Sequence, residues 1–166
     1  MHRMNRIERN HLVYPAYPVG FPARKDSMKI DHYALEVSDL EAAIRFYVDN
    51  FGFKAHIKLV DENEHESLAV LEMDGGKLEL IQALAENNQP QPFTPPTLSP
   101  GRPSGARPHF CPHLALQTDS LDQILALIKE RGLALVHGPL EIPGTAKWLY
   151  ITDPDQNVIE FFQDLQ

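Results

Sequence analysis

Polar and apolar residues alternate from Lys29 to Val37 (KIDHYALEV), the period of a β-strand with one buried face. Ile30, His32, Ala34 and Glu36 share one side, and Asp31, Tyr33, Leu35 and Val37 share the other, more apolar side. The period then lengthens. Leu40, Ala43, Ile44, Tyr47 and Phe51 recur at helical spacing, with Ser38 or Asp39 as N-cap and Gly52 as terminator. Strands follow at about 53–60, 67–73 and 77–83, the last two joined by Asp74-Gly75-Gly76, a hairpin turn signal. Leu78 and Leu80 must face the helix, which turns Glu79 to the side that bears His32.

The same order recurs downstream. His113, in HFCPHLALQT, is followed by Ala115 and Leu116 as His32 is by Ala34 and Leu35, an offset of 81 residues. That offset carries Leu40 onto Leu121, Ile44 onto Leu125, Asp74 onto Asp155, Leu78 onto Ile159 and Glu79 onto Glu160. Histidine and glutamate are therefore 47 residues apart in each half, and the chain is a duplication. In the second copy a strand to Thr118 leads into a helix over 120–131 closed by Gly132. Strands follow at about 134–137, 147–152 and 158–163, with Asp153 to Asn157 as the turn. The expected fold class is α+β: two tandem βαβββ modules forming a cupped mixed sheet around a central cleft. The expected division is an extended arm over 1–27, a first module over 28–85, a proline-rich linker over 86–108 and a second module over 109–166.

Composition narrows the function classes. The net charge is −8, and from Met28 onward ten basic residues face twenty-one acidic ones, which excludes a broad nucleic-acid footprint. No apolar run reaches the length of a membrane span. The single cysteine, Cys111, forms no internal disulfide, so the expected location is the cytoplasm. There is no glycine-rich phosphate loop, nucleophile elbow or zinc-finger spacing.

A lone strand histidine is ordinarily a satisfied core or surface residue, but here each module sets one histidine and one glutamate on the face away from its helix. Burying a carboxylate between sheets is costly unless its charge is compensated, and both modules put one at the equivalent place. If the modules pair about a local twofold axis, His32, Glu79, His113 and Glu160 converge as a metal site. Two imidazoles and two carboxylates suit one divalent Ni, Co, Mn, Fe or Zn ion and leave a position open for a small-molecule substrate. Other groups are weaker. His109, Cys111 and His113 alternate onto one face, yet one strand cannot wrap an ion, and His56 and His65 read as solvated. Trp148 and Tyr150 read as core or cleft wall ahead of a substrate-stacking surface.

The segments IDHYALEVSDLEAAIRFYVDNFGF, GGKLELI, PHLALQTDSLDQILALIKERG and WLYITDPDQNVIEFF resemble the vicinal oxygen chelate superfamily, which holds glyoxalases, bleomycin-resistance proteins and extradiol dioxygenases. In its glyoxalase I-like branch the resemblance implies metal ligands at His32, Glu79, His113 and Glu160, with Glu160 as the proton-shuttling base and Glu79 its counterpart. Epimerases of the family tend to carry glutamine at the position of Glu79. The implied activity is a metal-dependent lyase or isomerase that moves a proton next to a chelated carbonyl through an enediolate, lactoylglutathione lyase-like or methylmalonyl-CoA epimerase-like. A non-heme dioxygenase, with two histidines and one glutamate as ligands, and a metal-free antibiotic-binding protein are the alternatives. The resemblance further implies a homodimer. The long proline-rich linker departs from the pattern of compact members, and Arg45, Lys54, Lys77, Arg102, Arg107 and Lys147 map onto no glutathione site.

Overall fold

The computed structural model describes residues 30–95, 110 and 112–166. The N-terminal arm, most of the proline-rich segment, His109 and Cys111 lie outside the described residues. The first module runs β1 (His32–Glu36), α1 (Leu40–Phe51), β2 (Lys54–Asp61), β3 (Glu66–Met73) and β4 (Gly76–Ala83). The second runs β5 (Leu114–Gln117), α2 (Leu121–Arg131), β6 (Ala134–Ile142), β7 (Ala146–Thr152) and β8 (Val158–Asp164). Each forms a four-stranded mixed sheet, β1-β4-β3-β2 and β5-β8-β7-β6, in which the first strand of the module lies parallel to the last. These are the two tandem βαβββ modules that the repeat implies.

Both helices are fixed by the same local chemistry. The Asp39 carboxylate accepts from the Ala42 amide and the Ser120 hydroxyl from the Gln123 amide, and Gly52 and Gly132 close the helices in the left-handed region. Leu40, Ala43 and Tyr47 bury one face of α1 against Leu71, Leu78 and Leu80, while Ile159 and Phe161 lie beneath α2. One apolar cluster spans both modules. The side chains at its junction, Phe51 on α1 and Phe161 on β8, meet with ring centroids 5.4 Å apart. The modules are thus joined on the helix side of their sheets.

β6 runs on to Ile142, past the end predicted near His137. Gly138-Pro139 does not stop it, because β6 is an edge strand, where a missing donor is tolerated, and the ladder shifts register on both sides of His137. Gly138 has φ of +102°, and a Cβ there would stand 2.9 Å from the Leu149 Cα, so only glycine lets β6 cross β7 so closely. No helix among the described residues is long and apolar enough to cross a membrane.

The turn before β8 carries a buried polar node. Asp153, only 4% exposed, accepts from the amides of Asp155 and Asn157, from the Asn157 side chain and from the Tyr47 hydroxyl at 3.0 Å. Asn157 in turn donates to the Glu36 carbonyl at the end of β1. The node ties the second module to both α1 and β1 of the first. Burial raises the Asp153 carboxyl above its ordinary range against the lowering effect of its donors, and burial together with Asp153 keeps the Tyr47 phenol protonated.

Tyr47→Phe removes one donor from a buried charge and is expected to lower unfolding free energy by about 1–3 kcal/mol in urea denaturation. The raised Asp153 value means the folded chain holds that proton more firmly than the unfolded chain. Its contribution to stability is therefore fullest below the ordinary aspartate value and is lost as pH rises through the folded one. Urea titrations from about pH 4 to 7 should show this fall in the wild type and a flatter profile in Asp153→Asn.

Candidate metal centre

On β4, Leu78 and Leu80 point into the core and leave Glu79 on the opposite face; on β8, Ile159 and Phe161 do the same for Glu160. The parallel register sets Ala34 directly beside Glu79 and Ala115 directly beside Glu160. These small residues leave room for a histidine two positions earlier to lean across. His32 Nε2 lies 3.3 Å from Glu79 Oε2, and His113 Nε2 lies 3.1 Å from Glu160 Oε2. The second pair is the less exposed, at 23% and 14% against 43% and 20%.

The other ring nitrogen of each histidine is also engaged. His113 Nδ1 faces the Phe110 carbonyl, which can only accept, so Nδ1 carries the hydrogen. In a neutral ring Nε2 then directs a lone pair at a carboxylate oxygen. Two acceptors at that distance repel each other unless a cation, a proton or a metal ion, lies between them. His32 has the same problem. Its Nδ1 meets Asp31 Oδ1 at 3.1 Å while its Nε2 meets Glu79. Asp31 is held below the usual carboxylate range by its bond to His32 and then by Lys77, 3.1 Å away. Both histidines thus have the outer hydrogen-bond partner that metal-ligating imidazoles use to fix tautomer and orientation.

The donor set fits a divalent transition metal. Metal bonds of about 2.0–2.2 Å place neighbouring donors about 3.0–3.5 Å apart, the separation found in each pair. The structure brings His32 to Glu79 and His113 to Glu160. Among the described residues it gathers no group of three or more histidine, cysteine or acidic side chains around one point. His56 is 60% exposed beside Glu72, and His65 sits in the β2–β3 turn. Trp148 and Tyr150, expected foremost in core or wall packing, belong to β7 but not to the core cluster. Their alternation with buried Leu149 and Ile151 turns them to the Glu160 face. The Asp31 and Phe110 contacts were not legible beforehand. Neighbouring strand residues ordinarily point to opposite faces, and a backbone carbonyl leaves no sequence signal.

A family model described as Glyoxalase/Bleomycin resistance protein/Dioxygenase superfamily matches residues 29–161. The virulence protein STM3117 of Salmonella typhimurium strain LT2 is 29% identical over 138 residues, which cover 81% of this chain and 83% of that protein. The glyoxalase family protein from Bacillus cereus superposes with a TM-score of 0.67 at 17% identity, covering 88% of this chain and all of that one. TnmS3, an antibiotic binding protein from Streptomyces sp. CB03234, is 25% identical with a TM-score of 0.59, covering 85% and 99%. With a family match across both modules and the duplicated fold in place, the chain belongs to the glyoxalase/bleomycin resistance/dioxygenase superfamily.

Proposed function

We propose that the protein is a divalent-metal-dependent lyase or isomerase of the glyoxalase I-like type, and that its site is completed by two copies of the chain. The observation that carries this reading is the state of His113. With Nδ1 directed at the Phe110 carbonyl, Nε2 and Glu160 Oε2 stand 3.1 Å apart at the spacing of two donors on one metal ion, and the first module repeats the arrangement at His32 and Glu79. One module contributes His32 and Glu79, and the other contributes His113 and Glu160.

Two observations favour pairing across copies. The intrachain junction at Tyr47, Phe51, Asp153 and Phe161 lies on the helix side of the sheets, so the faces with the His–Glu pairs are not what the chain uses to hold its modules together. On the first sheet that open face also carries Ile57 and Leu59, each 44% exposed, opposite Val70 and Leu68. A homodimer in which the first module of one chain faces the second of its partner covers both faces.

When bound, the ion supplies Lewis-acid stabilisation of charge that develops on a substrate carbonyl. The chain does the rest. Glu160, mostly withdrawn from water, takes the proton from the carbon beside the carbonyl and returns it to the neighbouring carbon, and Glu79 from the opposite module is placed to do the same on the other face of the substrate. His32 and His113 hold their rings in place through Asp31 and Phe110. A ligand-sequestering protein is the second reading, favoured by the 25% identity to TnmS3.

Elemental mass spectrometry of protein purified without chelator should find about one Ni, Co, Mn, Fe or Zn ion per paired site, lost in His113→Ala. A protein that takes up no metal on incubation belongs to the second reading. On a thiol adduct of a 2-oxoaldehyde, Glu160→Gln should lower turnover by about 10²- to 10⁴-fold. Co-expression of His32→Ala with His113→Ala distinguishes shared from intrachain sites. In mixed dimers one of the two shared sites regains all four ligands, so about a quarter of total activity should return; intrachain sites would return none.

A further inference from the structure

The two modules have diverged at matched positions beside their glutamates. In each antiparallel hairpin the residue directly opposite the glutamate is the one that shares its face: Val70 faces Glu79, and Tyr150 faces Glu160. Two residues further along, Leu68 is paired with Ile81 in the first module and Trp148 with Phe162 in the second. Three aliphatic side chains in one sheet correspond to three aromatic ones in the other. The duplication explains the shared scaffold but not this division.

The aromatic side continues beyond the strand pair. The Phe110 ring stacks on Tyr150, with centroids 4.5 Å apart and planes 16° from parallel, and on His137 at 5.2 Å and 20°. Tyr150 also stands edge-to-face with His113 at 5.7 Å. The ring of Tyr150 therefore touches one predicted metal ligand and lies across the strand from another. A core needs no such arrangement, because these residues are partly exposed and stand apart from the apolar cluster. Flat π-faces at van der Waals spacing from a chelating centre recognise a flat π-system attached to the chelating group.

We infer that the substrate carries an aryl substituent next to the oxygens it presents to the His–Glu pairs, and that the ring lies against the second module's aromatic face with Tyr150 as the specificity-determining residue. The inference rests on the metal-chelating reading above and names its substrate class. Oxygens of the substrate sit between the His–Glu pairs, and the ring extends over β7 toward Trp148. The first module's aliphatic face closes the other wall and offers no comparable stacking partner.

Trp148 is the only tryptophan in the chain, so its fluorescence reports this face directly. Metal-loaded protein is titrated with mandelate and with hexahydromandelate, which share a carboxylate and a neighbouring hydroxyl and differ in phenyl against cyclohexyl. Mandelate should bind roughly three- to tenfold more tightly, the scale of an aromatic pair beyond its buried area. Tyr150→Leu should abolish the preference with the thermal midpoint nearly unchanged, and Tyr150→Phe should keep it. Equal affinities, a preference that survives Tyr150→Leu, or no response to either compound overturns the inference. Repeating the titration after chelator treatment separates the two readings. An aryl preference that persists without metal supports the aromatic subsite and counts against chelation. Metal-dependent binding with no preference overturns the subsite and leaves chelation standing.

Discussion

Parallel pairing of the first strand with the last is the constraint on which the rest depends. A parallel neighbour cannot be reached by a tight turn, so each module must carry its chain through a helix and two further strands before β4 or β8 comes back beside β1 or β5. That return brings residues 47 positions apart onto one face, with an alanine beside each glutamate to leave space. The histidine and the carboxylate owe their proximity to topology. No local segment of the sequence contains both.

The duplicated fold and the facing of both glutamates were legible because they follow from period alone. Leu78 and Leu80 had to be buried, so Glu79 had to be turned away, and Ile159 and Phe161 impose the same on Glu160. The helix ends were legible through Asp39, Ser120 and the two terminal glycines. What escaped was set by partners distant in sequence. Asp153 reads as a turn residue, and nothing near it announces that Tyr47, 106 positions earlier, will cover it. The length of β6 escaped because a glycine-proline step ends most strands and is accommodated here only by an outer position. The tautomer of His113 depends on a backbone carbonyl three residues away.

The two copies of the unit have kept different things. Both retain the apolar contacts between helix and sheet, and both retain a histidine beside a glutamate on the opposite face. The remaining positions of the open faces have drifted apart in kind, aliphatic in one and aromatic in the other. A site made from two equal halves would treat both ends of a ligand alike. In the proposed site the divergence would set a direction, so that a molecule held symmetrically at its oxygens would be read asymmetrically at its substituents.

Pro139 in β6 has a consequence for how copies of the chain can meet. β6 is one of the two edge strands of its sheet, and a strand in that position presents backbone groups that another molecule's strand can extend. The proline interrupts its run of amide donors, and the register shifts around His137 bend it away from a straight template. Strand-by-strand addition, the route to open-ended fibres, is blocked at that margin. In the other sheet the edge strand β2 carries Lys54 and Lys58, whose charges oppose the same event. At β6 and β2 the sheets therefore offer a further strand neither an unbroken row of donors nor an uncharged margin.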